Sequence, residues 1–121
     1  MKKITKFIVF IFAGLILSIF QSSAENKIKI GLIVPLTGEY KNIGNSILKS
    51  TRLAINKIDN NRIEIIPRDT KFNPETTLKV SKELYEEGVR IIIGPVFNKN
   101  LIYLDELEEV TFLSLSNTNI N

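Results

Sequence analysis

The stretch Ile63–Gly94, IEIIPRDTKFNPETTLKVSKELYEEGVRIIIG, changes its hydrophobic period twice. Ile63 to Arg68 (IEIIPR) is rich in β-branched residues, and its internal Pro67 cannot donate to a ladder, so it is predicted as a short strand at a sheet edge. Asn73-Pro74-Glu75 then opens a helix. Asn is a favoured N-cap, Pro at the first helical position loses nothing by lacking an N–H, and an acid in the first turn complements the helix dipole. Leu78, Ser81, Leu84 and Tyr85 fall on one side of that helix, and Gly88 stops it. Arg90 to Gly94 (RIIIG) follows as a wholly apolar strand. Strand, helix and strand with short connections make a right-handed crossover between parallel strands.

The same rhythm extends in both directions. Lys27 to Val34 (KIKIGLIV) passes from alternation to a continuous apolar run, as expected of a strand that ends buried. Between Asn45 and Asn60, Ile47, Leu48, Thr51, Ala54, Ile55 and Ile58 recur at helical spacing, which predicts an amphipathic helix. Downstream, Leu101, Leu104 and Leu107 predict a third helix over Lys99–Glu109, and Val110 to Leu115 a fourth strand. The order β-α-β-α-β-α-β specifies an α/β fold, a doubly wound parallel sheet with helices on both faces. Such sheets bind ligands beyond the carboxyl ends of their strands, where the strand order reverses. That directs attention to the loops Pro35 to Ile43, Gly94 to Asn98 and Ser114 to Asn119.

The chain has 121 residues, 44% hydrophobic and 24% charged, a globular composition. It contains no Cys and no His. This excludes thiolate metal sites, a cysteine nucleophile, the Ser-His-Asp arrangement and the usual neutral-pH general base. Ser114 and Ser116 therefore have no base and no G-x-S-x-G elbow, and no enzyme activity is expected. No cofactor or metal is expected either. G-x-G-x-x-G is missing after the first strand, where the glycines, Gly38 and Gly44, stand six apart. Asp69 imitates a ribose-binding acid, but without that fingerprint it reads as a loop or cap residue. Pro35 and Pro95 occupy the places where a receiver domain would carry its acids.

The net charge of +3, from 16 Lys and Arg against 13 Asp and Glu, is unevenly placed. Lys2, Lys3 and Lys6 precede an apolar run from Phe7 to Phe20, followed by small residues at Ser22 and Ala24. This is the pattern of a signal peptide over residues 1–24, cleaved after Ala24. An uncleaved anchor is the alternative, but the run is shorter than the roughly 18 to 20 residues that span a bilayer core. Without the three signal lysines, 16 − 3 = 13 basic residues balance 13 acidic ones in residues 25–121. No basic face for nucleic acid remains.

Three segments together, KIGLIVPLTGEY with IGNSILKSTRLAIN, then IEIIPRDT with NPETTLKVSKELYEEGVRIIIGPV, then TFLSLSNTN, resemble the first lobe of type I periplasmic binding proteins of the leucine-binding kind. The likeness runs from Lys27 to Asn119. Its sharpest parts are the P-L-T-G turn, the D-x(4)-P-E helix entry and the I-I-G-P strand end; PRDT and IIIGPVF look especially like penicillin-binding protein activators. The resemblance implies a periplasmic domain that binds a small polar solute, such as an amino acid, for ABC-type transport. Its activator branch implies instead contact with a peptidoglycan synthase. It points to Asn98, where transport members often place a serine beside the ligand carboxylate, and to Thr118 after the fourth strand. Asn117 would offer backbone groups beside Thr118, and Tyr40 would wall the pocket. Asn98 is also the natural N-cap of the third helix, and Tyr40 and Phe97 are more often packing than stacking residues. Phe97 and Asn98 depart from the hydroxyl-rich stretch of amino-acid binders. Such proteins have a second lobe that is absent here, so residues 25–121 read as the amino-terminal part of a leucine-binding-protein-like domain, with marginal stability expected of the isolated piece.

Overall fold

The computed structural model describes residues 26–116. The predicted signal-peptide segment and the predicted ligand residues Asn117 and Thr118 lie outside the described residues. The elements are β1 (Ile28–Val34), α1 (Lys41–Ile58), β2 (Ile63–Asp69), α2 (Pro74–Glu86), β3 (Ile91–Ile93), two 3₁₀ turns (Asn98–Leu101 and Leu104–Glu106) and β4 (Thr111–Leu113). They form one parallel sheet in the order β2-β1-β3-β4. Pro67 lies on β2, at the sheet edge, opposite Leu32.

The chain steps one way from β1 to β2 and then back past β1 to β3. Right-handed connections therefore place α1 and α2 on opposite faces. Gly31, Ile33 and Ile92 face α2, where a Cβ built at Gly31 would meet Leu84, Ile92 and Val89. Ile33, Val80, Leu84, Val89, Ile92, Leu104 and Val110 form the core on that side, with Ile66, Leu78, Tyr85, Leu101, Leu107 and Phe112 packed against it. Leu32 and Val34 point to the other face and are also fully buried. Continuous burial of Leu32, Ile33 and Val34 is what the apolar end of the first strand foretold.

The start of α2 is built as its sequence suggests. The Asn73 side chain accepts from the Thr76 N–H at 2.7 Å, and Pro74 occupies the first turn. Thr77, Val80, Ser81 and Leu84 form its buried stripe. The buried hydroxyls on this stripe bond backward along the helix, Thr77 to the Asn73 carbonyl and Ser81 to that of Thr77, both at 2.8 Å, so neither is left unpaired.

The predicted third helix is not an α-helix. Asn98–Leu101 and Leu104–Glu106 are separate 3₁₀ turns. Their bonds reach three residues back, Asn100 N–H to Phe97 O at 3.0 Å and Leu107 N–H to Leu104 O at 3.1 Å, and a further turn follows with Val110 N–H to Leu107 O at 3.0 Å. Leu101, Leu104, Leu107 and Val110 repeat every third residue, which matches 3.0 residues per turn rather than 3.6. The leucine spacing was the correct clue to a buried stripe and the wrong clue to the kind of helix. The strands flanking this segment are also shorter than predicted, with three residues each.

Candidate functional site

The reversal of strand order falls between β1 and β3, and the loops leaving β1, β2 and β3 converge there. One carboxylate braces two of these loops. Asp69, the last residue of β2, accepts from the Leu36 N–H at 2.8 Å and the Lys71 N–H at 2.9 Å through Oδ1. Its Oδ2 accepts from the Thr37 hydroxyl at 2.6 Å. Partial burial pushes the Asp69 carboxyl up, but the bonds from Thr37, Lys71 and Leu36 outweigh it and hold the group below its ordinary value. Asp69 is thus the loop-capping residue its isolated motif suggested, and its oxygens are spent on the scaffold.

The loop that follows is bent sharply. Lys71 and Phe72 have φ of +50° and +56°, consecutive left-handed residues that are neither Gly nor Asn. Each costs roughly 1–2 kcal/mol. The Asp69 bond to Lys71 and the Asn73 N–H bond to the Thr70 carbonyl at 2.9 Å offset part of that cost. The consequence is that the Phe72 ring turns onto Tyr40 of the first loop and Phe97 of the third. The ring centroids lie 4.2 Å apart for Tyr40–Phe72, 4.8 Å for Tyr40–Phe97 and 4.7 Å for Phe72–Phe97, at interplanar angles of 47°, 60° and 76°. These tilted and edge-on contacts are the favourable geometries for aromatic pairs, each contributing about 0.5–1.5 kcal/mol beyond area burial. All three rings remain half-buried, so part of each stays open. The Lys99 ammonium sits 3.3 Å above the centroid of Phe72.

Two glycines make the convergence possible. A Cβ on Gly44, in the first turn of α1, would lie 1.8 Å from the Pro35 carbonyl oxygen. Gly94, before the cis Gly94–Pro95 peptide, has φ of +109°, and its Cβ would lie 2.3 Å from the Ile33 carbonyl oxygen. The third and fourth loops are tied by the Leu115 N–H to the Pro95 carbonyl at 3.0 Å.

Of the sequence-predicted site residues, Tyr40 is in the cluster and Asn98 is exposed beside it. The capping reading of Asn98 fails. Phe97 holds the N-cap position of the 3₁₀ turn, and the turn has no side-chain cap bond. Phe72 and Lys99 were missed. Phe72 was legible only as the residue before a helix cap, and nothing in the spacing announced that its backbone would turn left-handed. Another residue stands out just behind the cluster: Asn100 is 1% exposed, and neither its Oδ1 nor its Nδ2 has a partner among the described residues.

A groove of about 590 Å³ beside the cluster is lined by Pro74, Asn98, Lys99, Leu101, Ile102, Tyr103 and Asp105. A second concavity, about 620 Å³, lies at the opposite pole, among Lys27, Ile55, Asn56, Asp59, Asn60, Asn61 and Ile63, far from the convergent loops. Among the described residues no group of three or more acidic side chains is placed to hold a metal ion. The carboxyl-end cluster offers a ring floor, one amide and one ammonium. Such a set can bind and orient a solute.

Residues 27–104 match the family described as periplasmic binding protein. The chain belongs to the periplasmic binding protein family. Solved structures share this fold over part of their length. A solute-binding protein of an ABC transporter from Rhodopseudomonas palustris, in complex with 3,4-dihydroxybenzoic acid, is 26% identical with a TM-score of 0.70 over 75% of this chain and 27% of that one. The branched-chain amino acid transporter substrate-binding protein LivJ from Streptococcus pneumoniae, in complex with isoleucine, is 23% identical with a TM-score of 0.69 over 78% of this chain and 30% of that one. The LpoA C-domain from Haemophilus influenzae, a regulator of PBP1A, is 23% identical with a TM-score of 0.64 over 74% and 28%. The last two are likenesses of fold. This periplasmic-binding-protein chain spans under a third of the length of each of the three.

Proposed function

We propose that the chain forms the first, solute-binding lobe of an exported periplasmic binding protein that delivers a small polar solute, such as an amino acid or another carboxylate, to an ABC-type membrane transporter. The observation that supports this best is the convergence of Tyr40, Phe72, Phe97, Asn98 and Lys99 from three strand-end loops at the point where strand order reverses. Neighbours of the same fold hold isoleucine and 3,4-dihydroxybenzoic acid, both carboxylates. Asn117 and Thr118, which follow β4 in sequence, complete the lobe's ligand surface in this reading. The protein is not an enzyme and works without cofactor. Calorimetric titration of the full-length protein with isoleucine, leucine, 3,4-dihydroxybenzoate and 4-hydroxybenzoate tests it. Saturable binding of any of them at micromolar or tighter affinity is expected; heats indistinguishable from dilution for all four would remove the transport reading.

A second reading follows from the way the three rings pack on one another and fill part of the space a solute would use. In it the lobe is an activator-type module that contacts a peptidoglycan synthase, in keeping with the likeness to LpoA. Co-purification of a synthase with the full-length protein, together with no solute binding, would favour it. Export rests on residues 1–24 acting as a cleaved signal. Amino-terminal sequencing of the extracytoplasmic form should begin at Glu25; a chain starting at Met1 there would contradict cleavage.

A further inference from the structure

The balance of charges in residues 25–121 does not hold face by face. Between Lys41 and Ile58, α1 carries Lys41, Lys49, Arg52 and Lys57 and no acid; the nearest acids in sequence, Glu39 and Asp59, lie beyond its two ends. From Pro74 to Val110, where α2 and the 3₁₀ segment share the core on the other side of the sheet, eight acids stand against four cations. At 3.6 residues per turn the four α1 cations fall within an arc of about 160°, spread over about 24 Å of helix. All four are exposed, and Leu53, 60% exposed, projects within the same arc. The covered positions Gly44, Ile47, Leu48, Thr51 and Ile55 lie outside it, toward the sheet. Neither ion pair among the described residues involves α1. The acidic side is more than a helix diameter of roughly 10 Å away, beyond the screening length of about 8 Å at physiological salt. The outer face of α1 therefore acts as a separate patch of four positive charges around one exposed leucine.

We propose that the outer face of α1 is a membrane-docking surface, and that its partner is the anionic headgroup layer of a lipid bilayer. The apolar side of α1 is already committed to the sheet, and among the described residues no helix is long and apolar enough to cross a membrane. What remains is adsorption: clustered cations attracted to a negative surface, with Leu53 reaching the boundary between headgroups and acyl chains. The composition selects lipid over other polyanions. Three of the four cations are Lys, hydrated point charges on flexible stems, which suit mobile headgroups that gather around them. A protein interface is depleted in Lys and is anchored by Arg, Tyr and Trp. Single-stranded nucleic acid would need aromatic rings to stack its bases, and α1 has none. Docking of this kind requires export but no solute, so it stands apart from the solute-binding reading.

Vesicle sedimentation tests it with the full-length protein lacking residues 1–24, on an equal mixture of phosphatidylglycerol and phosphatidylcholine and on phosphatidylcholine alone. Each cation near an anionic surface multiplies partitioning about fivefold, so the mixed vesicles are expected to bind about a hundredfold or more tightly at about 0.1 M salt. Raising the salt to about 1 M should abolish the preference. Lys49→Gln with Arg52→Gln should cut binding to the mixed vesicles about twentyfold. Lys79→Gln with Lys82→Gln removes the same charge from the opposite face and should leave binding unchanged. All four substituted side chains are exposed, so both variants should fold, which circular dichroism verifies. Equal binding to the two kinds of vesicle, or equal loss in the two double variants, would overturn the docking surface. No binding to the mixed vesicles, with polyglutamate holding the protein through Lys49 and Arg52, would assign the face to an acidic protein and overturn it as well.

Discussion

The helices α1 and α2 and the segment 98–110 all connect parallel strands, and they do so in different ways. In α1 the buried or half-buried positions are Gly44, Ile47, Leu48, Thr51 and Ile55, and in α2 the fully buried ones are Thr77, Val80, Ser81 and Leu84, offsets of three and four that average to the α period. Between β3 and β4 the covered apolar positions are Leu101, Leu104, Leu107 and Val110, in steps of three, with the buried Asn100 beside them. An α-helix would rotate those side chains progressively away from the sheet, by about 60° for each step of three. Two separate 3₁₀ turns, carrying Leu101 and Leu104, and the bend that follows, carrying Leu107 and Val110, hold these side chains on the core side instead, with poorer hydrogen-bond geometry in exchange. The apolar spacing thus differs between the two kinds of connection along with the type of helix.

The contrast can be broken or sharpened by experiment. The largest effect is expected where α1 touches the first loop. Gly44→Ala forces a Cβ into the Pro35 carbonyl, which is backbone and cannot rotate away, and should cost about 3 kcal/mol in urea denaturation of the full-length protein. A loss under about 1 kcal/mol would mean that α1 shifts freely on the sheet and is no firmer than the 3₁₀ segment. Next is Asp69→Ala, which strands the Leu36 and Lys71 N–H groups and should cost about 2 kcal/mol. This variant also tests the pH dependence. The folded-state pKa of Asp69 lies below its usual value near 3.8, so its stabilisation is complete above that value and is lost as the pH falls through the lower folded one. Wild type should lose more stability than Asp69→Ala on acidification below about pH 4; parallel curves would show that the bonds do not favour the carboxylate.

Amide hydrogen exchange compares the two kinds of connection directly. The N–H groups of Asn100, Leu107 and Val110 should exchange about tenfold faster than those in the middle of α2, because short 3₁₀ turns open locally. Equal protection would place both in one cooperative unit. The smallest change is expected at Asn100. Replacing this buried amide, whose side chain has no partner among the described residues, by leucine, which keeps the branched shape but is larger, should change stability by about 1 kcal/mol or less, because removal of the unpaired polar atoms offsets tighter packing. A substantial loss instead would reveal a polar partner in the full-length protein.

Much of the scaffold could be read in advance. Asn73-Pro74-Glu75 foretold the cap and start of α2 because capping is local chemistry, settled within four residues. Pro67 foretold an edge strand, since a missing N–H is tolerated only there. The site was less legible. Tyr40 was recognisable from its place in the first loop, whereas Phe72 reached the cluster only through two left-handed residues held by Asp69 and Thr70. Lys99 looked like one more solvated lysine until Phe72 was brought beneath it.

What the amino-acid order determined by itself was the alternation of strand and helix, and hence a parallel sheet with a ligand-binding end, because periodicity, caps and connection length are all short-range properties. Which loop residues meet at that end was decided only in three dimensions. Tyr40, Phe72 and Phe97 are distant in sequence and become neighbours because β1, β2 and β3 lie side by side with their carboxyl ends together. Contacts of that kind depend on strand order and on the direction a backbone turns after its last bond, and neither is written in the spacing of residues along one segment.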